Sequence, residues 1–183
     1  MTTRRFTSAD GSPIWSVEYS DAKGMTILLD DEAIHQRFDD ALFAYDFDEI
    51  VELMNDHRLV AFGTHEGDPE AQLLLKVGAD FTDDERQTHS AGYELDGGLL
   101  RVSSRLVVSD WAGFAHGCND NDGRVEGAPV DVEPGDYRVT IYRQFGPEET
   151  YEGPTVHLVC LVPVSEPEDI PIFDAIPGAD GDF

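Results

Sequence analysis

Lysine is almost missing from this chain. Lys23 and Lys76 are its two lysines, and the 12 basic residues face 38 acidic ones. The formal net charge of −26 over 183 residues lies far beyond the magnitude of about 2–8 that keeps a small domain soluble. So few cations exclude the usual modes of binding nucleic acid and anionic lipid, which place lysine and arginine on phosphates. The surplus carboxylates create a long-range negative field. That field costs stability through self-repulsion and speeds the docking of basic proteins. A basic protein is therefore the expected partner, with no nucleic acid and no membrane. A GC-rich genome or a salt-adapted organism leaves the same bias, with the charge serving solubility alone; unfolding at low salt would mark that case.

Other absences narrow the chemistry. No run of eighteen apolar residues is available to span a membrane. Arg4 and Arg5 are not followed by an apolar core and cleavage site, so no signal peptide is read and the expected location is the cytoplasm. Cysteine is scarce. Cys118 and Cys160 form no C-x-x-C motif, and Cys160 sits in an apolar run, where a reduced thiol behaves as a small hydrophobe. The six histidines, at 35, 57, 65, 89, 116 and 157, never recur at i+2, i+3 or i+4, so no zinc spacing appears. Neither phosphate-binding glycine motif is present, and no serine lies in a G-x-S-x-G elbow. The cluster Asn119-Asp120-Asn121-Asp122-Gly123 resembles a calcium loop, but counting back from Gly123 puts Cys118 at the first ligand position and Pro129 at the twelfth. Carboxylates are so abundant that no single pair of them indicates acid–base catalysis. No catalytic residue, metal or cofactor is assigned, and a non-enzymatic role is favoured.

What is present is mainly β pattern. Val130 and Val132 alternate with Asp131 and Glu133, Pro134-Gly135 punctuates, and Tyr137, Val139 and Ile141 then share one face. This predicts strand, tight turn, strand over Val130–Arg143, paired antiparallel with the apolar run Val156–Val162. An opening hairpin is predicted over residues 4–19, turning at Asp10-Gly11, with Trp15, Val17 and Tyr19 facing the core. Strands follow at Met25–Leu29, Leu59–Gly63 and Leu106–Val108, while Ala71–Val77 fits strand or short helix, with its length and the nearby glycine favouring strand. Asp96-Gly97-Gly98 reads as the turn of a hairpin between Tyr93–Leu95 and Leu99–Val102. Thr82–Arg86 reads as a polar loop or one helical turn.

From Asp30 the period becomes helical. Ala33, Ile34, Arg37 and Phe38 fit one helix. Phe47, Ile50, Val51 and Met54 fit a second, opened by Asp46 or Asp48. Across these helices Asp30, Asp31, Glu32, Asp39, Asp40, Asp46, Asp48, Glu49 and Glu52 are set against Arg37 alone. They are the candidate docking surface for a basic partner. The alternative reading is a small-ligand or enzymatic site in the glycine-bearing connection of residues 111–126, around Trp111, His116 and Cys118, where a Cys–His pair is conceivable. After Val162 come Pro163, Pro167, Pro171 and Pro177 among carboxylates, with no basic residue. Residues 1–164 are thus expected to form one domain and 165–183 an acidic, proline-rich tail, part of it lying on the domain through Ile170, Ile172 and Phe173.

The segment Leu99–Arg143, through Val132, Pro134, Gly135, Tyr137 and Val139, resembles the closing part of small bacterial β-rich proteins of the toxin-immunity and competence-protein-J nuclease-inhibitor groups. The resemblance implies a stoichiometric inhibitor of a nuclease or toxin. It assigns those matching positions to structure and carries no binding residue over. The expected architecture is α+β, mainly antiparallel β, as a sandwich or open barrel with one or two short helices packed on one side. The expected function is that of an acidic binding protein, an immunity-type inhibitor of a basic nuclease or toxin.

Overall fold

The computed structural model describes residues 1–21, 24–30, 47–64, 68–119, 125–146, 154–165 and 170–179. In chain order the elements are β1 (Thr2–Thr7), β2 (Pro13–Asp21), β3 (Met25–Asp30), α1 (Phe47–Asn55), β4 (Leu59–Gly63), β5 (Asp68–Val77), α2 (Asp83–Thr88), β6 (Tyr93–Val102), β7 (Leu106–Asp110), α3 (Trp111–Asn119), β8 (Ala128–Val130), β9 (Gly135–Arg143) and β10 (Val156–Pro163). The helix expected over Ala33–Phe38 lies outside the described residues. Two sheets form, one of six strands in the order β1-β2-β5-β10-β9-β6, the other of four in the order β4-β3-β7-β8. Neighbours run antiparallel except β5 and β10, which are parallel. The result is an α+β sandwich without barrel closure.

The layers follow from which side chains alternate. Val17, Leu73, Leu75, Val139, Ile141 and Val159 of the first sheet meet Leu28, Val60, Phe62, Leu106 and Val108 of the second in one buried core. On the far face of the four-stranded sheet, Met25, Ile27, Leu29, Leu59 and Ala61 are covered by Ile50, Leu53 and Met54 of α1 and by Trp111 and Phe114 of α3. Those are the two short helices packed on one side. On the far face of the six-stranded sheet Leu74, Tyr142, Leu158 and Cys160 pack with Phe81 and Ala91. Strands β3, β4 and β10 are thus buried on both faces, which is why they are near-continuous apolar runs rather than alternating ones.

The expected β9–β10 pair is present, with Tyr142 opposite Leu158 and Val139 opposite Leu161. The opening hairpin is β1–β2. Three expectations are corrected. First, Val130–Arg143 is not a hairpin. β8 belongs to the four-stranded sheet and β9 to the six-stranded one. Val130 and Val132 are both buried in the core between the sheets, so the alternation reports burial and says nothing about pairing. Pro134-Gly135 carries the chain from one sheet to the other, and the Tyr137 hydroxyl pins that corner by donating to the Glu133 carbonyl at 2.6 Å.

Second, Asp96-Gly97-Gly98 is a bulge within the single strand β6. The register passes from Asp96↔Thr140 to Gly98↔Val139, leaving Gly97 as the extra residue. Gly98 has φ +76°, and a Cβ at Gly97 would lie 2.9 Å from Val139 Cγ1, so both positions need glycine. Third, residues 111–119 are helical. Asp110 caps α3, its Oδ1 accepting from the Gly113 N–H at 2.7 Å. Trp111, Phe114 and Ala115 at i, i+3 and i+4 all bury against the sheet.

Candidate functional site

Helix α1 sorts its residues by face. Ile50, Leu53 and Met54 are buried against β4 and β3, and Phe47 stacks on Trp111 with ring centroids 5.3 Å apart. On the solvent side Asp48 and Glu52 are exposed, one turn apart, and Asp56 follows one turn further; Glu49 is half-buried. Asp48 and Glu49 suit the positive end of the helix, but Glu52 and Asp56 approach its negative end, and no basic residue stands in the last turn. Each such charge opposes the macrodipole by about 0.3–1 kcal/mol.

The other proposed docking carboxylates divide in two. Asp31, Glu32, Asp39, Asp40 and Asp46 lie outside the described residues. Asp30 is buried with no exposed surface. Its carboxylate accepts from the Ser103 N–H, from Ser103 Oγ at 2.5 Å, from the Ser104 N–H at 3.3 Å and from Ser104 Oγ at 2.8 Å. It ties the end of β3 to the β6–β7 turn and belongs to the framework, not to a docking face.

The alternative site fares differently from its sequence reading. Trp111 opens α3, is 8% exposed and lies in the core behind the four-stranded sheet. His116 and Cys118 fall on the same helix, and their side chains lie outside the described ones. An open cavity of about 440 Å³ adjoins the helix start, lined by Met1, Asp110, Ala112, Gly113, Glu126 and Gly127. A second, of about 510 Å³, opens at the end of the six-stranded sheet beside Glu18, Glu70, Gln72 and Thr155. Among the described residues neither is lined by histidine or cysteine. Among the described residues no group of three His, Cys, Asp or Glu is placed to hold a metal ion, and no helix is long and apolar enough to cross a membrane.

One polar cluster escaped the sequence reading. Lys76 lies in β5 with its side chain wholly enclosed, 2.9 Å from Asp10 in the β1–β2 turn and 2.9 Å from Glu85 in α2. Burial acts to lower its pKa, but hydrogen bonds to the two carboxylates outweigh this and raise it. Asp10 is held well below the usual carboxylate range by Ser8, Lys76 and Ser12. Glu85, whose burial acts the other way, is lowered by the Thr82 N–H and by Lys76. Cross-strand from Lys76 stands Cys160, whose thiol donates to Asp80 Oδ1 at 2.8 Å. Burial first, then Asp80, pushes that thiol well above its ordinary range, and Tyr142, which donates to the same carboxylate, is raised for the same two reasons. A thiol kept protonated in this way is structural, not nucleophilic. The signal for this cluster was a single lysine inside the apolar run Leu73-Leu74-Leu75-Lys76-Val77, because a buried cation needs partners.

No protein-family model matches the sequence, and no curated protein matches it. Two solved structures share its fold. One is ComJ from Bacillus subtilis, described as an inhibitor of the DNA-degrading activity of NucA, at 11% identity and TM-score 0.50 over 90% of this chain and 100% of that one. The other is the product of crocagin biosynthetic gene J, at 17% identity and TM-score 0.55 over 89% of this chain and 99% of that one. The resemblance read from Leu99–Arg143 thus extends to nearly the whole fold.

Proposed function

We propose that this chain is a non-enzymatic, acidic inhibitor that docks on a basic nuclease or toxin through the solvent face of α1, in the cytoplasm. The observation that carries the reading is the placement of Asp48, Glu49 and Glu52 on one helix of a fold shared with ComJ, which acts on a nuclease. Two of these carboxylates, Asp48 and Glu52, are exposed. A net charge of −26 adds a long-range attraction for any cationic surface. Rim carboxylates of this kind set association rate and partner choice, and buried contacts set lifetime.

The test is a DNA-degradation assay with any nuclease or toxin whose gene adjoins that of this chain, and with NucA as a reference nuclease. Inhibition is expected to saturate at one equivalent. Affinity is expected to fall about tenfold or more between 50 and 500 mM salt, because exposed charges are screened over that range. Inhibition of neither enzyme, or inhibition insensitive to salt, rejects the reading.

A further inference from the structure

Residues 170–179 cross the seam where β4 of one sheet runs past β6 of the other. The Gly63 N–H, at the end of β4, donates to the Pro177 carbonyl at 2.9 Å. Arg143 Nη1 of β9 donates to the Gly178 carbonyl at 3.0 Å. Asn55, the last residue of α1, grips the Phe173 peptide twice: Nδ2 donates to the Phe173 carbonyl at 2.9 Å, and Oδ1 accepts from the Phe173 N–H at 2.8 Å. Ile176 is buried in the core shared by α1, α3 and the four-stranded sheet, and Phe173 packs against that core. Ile172, expected to lie on the domain, is instead 89% exposed.

The segment is fitted closely enough to exclude side chains at three places. A Cβ on Gly63 would stand 2.1 Å from the Gly178 carbonyl oxygen, one on Gly98 2.7 Å from the Phe173 ring, and one on Gly178 2.0 Å from Arg143 Nη1. The β6 bulge thus has a second use, since it brings Gly98 against the Phe173 ring. Helix α1 rests on its sheet through Ile50, Leu53 and Met54. Apolar contact of that kind is non-directional. Side-chain packing sets the helix's distance and crossing but supplies no directional bond. The two directional bonds from Asn55 supply what the apolar face does not.

We propose that residues 170–179 are a strap that fixes the orientation of α1, with Asn55 as the positioning residue, so that the C-terminal segment governs how firmly the acidic helix is presented to its partner. The consequence for binding rests on α1 being the docking helix; the mechanical coupling does not.

Gly63→Ala in the full chain is the direct probe. Gly63 is not at positive φ, so β4 accepts alanine without strain, while the new Cβ collides with strap backbone. Asn55→Ala severs the other end and leaves the seam intact. Amide hydrogen exchange is read residue by residue, and nuclease inhibition is measured on the same samples. In both variants the amides of α1 are expected to exchange about tenfold faster or more, while those of β9 and β10 keep their rates, because local opening is separable from global unfolding. Opening of the strap with α1 at its original rates overturns the proposal, as does equal acceleration throughout the sheets. A loosened α1 with unchanged nuclease inhibition upholds the strap and rejects α1 as the docking helix.

Discussion

Replacing Asp30 by alanine is expected to cost on the order of 3 kcal/mol of folding stability, because it removes the buried carboxylate on which four donors of the β6–β7 turn converge, while the exposed serine hydroxyls recover part of the loss by turning to water. Those donors are the N–H and Oγ groups of Ser103 and Ser104. A backbone N–H in a tight turn has no freedom to turn elsewhere, so the penalty falls on the β6–β7 connection and on the end of β3. Asp30→Asn keeps one accepting oxygen and replaces the other with a donor facing donors, so it is expected to recover less than half of the loss. Urea titration checks both, as a shift of midpoint at constant slope. A cost below about 1 kcal/mol for the alanine variant would mean that Asp30 is not the acceptor these serines depend on.

The second large effect concerns Lys76. Asp10→Asn combined with Glu85→Gln leaves an enclosed ammonium with no carboxylate, and the expected cost is about 3 kcal/mol. That is the low end for stripping a buried ion, because Asp10 and Glu85 are themselves 39% and 26% exposed and water reaches the site once they are neutral. The pH dependence has a definite sign. Asp10 and Glu85 have folded pKa values below their ordinary 3.8 and 4.5. Their contribution is therefore fully present above those ordinary values and is lost as pH falls through the folded ones. Lys76 is raised above 10.5, so its contribution is present below that and is lost as pH rises through its folded value. The stability difference between the parent and the double variant should hence be largest from about pH 5 to neutrality, shrink as acid protonates Asp10 and Glu85, and shrink again toward alkaline pH, where the buried Lys76 of the variant, without carboxylates, sheds its proton first. Denaturant titrations across that range check it, and a difference that grows toward acid would refute the clamp.

Much of the fold was legible because the inward face of a half-buried strand repeats every second residue. Tyr137, Val139 and Ile141 marked β9 this way, and Val17 and Tyr19 marked β2. The i, i+3, i+4, i+7 spacing marked α1. Illegible features were those in which one local pattern serves two geometries. Gly97-Gly98 makes a bulge as readily as a turn, and only the partner strand β9 decides between them. Val130, at the end of β8, and Val132, beyond it, point into the same core just before the chain crosses to the other sheet at Pro134-Gly135, which periodicity cannot report.

The site divides along the same line. Asp30 and Asp48 are the same residue type in one acidic region, yet one is buried and the other exposed. What separates them is Ser103-Ser104, 73 residues downstream of Asp30, which no local reading brings into view. Trp111 looked like the wall of a pocket because glycines follow it. Its neighbour Phe47 and the Asp110 cap make it part of the core instead.

The most direct test of the central claim is the association rate of the partner nuclease with a chain carrying Asp48→Lys, Glu49→Lys and Glu52→Lys, measured by stopped flow at 50 mM salt beside the parent. Asp48 and Glu52 are exposed, Glu49 is half-buried one turn before Leu53, and lysines at 48 and 49 oppose the helix dipole, so a thermal melt of the triple variant is read first to establish that it folds. If this helix face docks a basic protein, association is expected to slow about a hundredfold, and the gap between the two chains should close as salt rises. Equal rates at low salt from a folded triple variant would contradict the account.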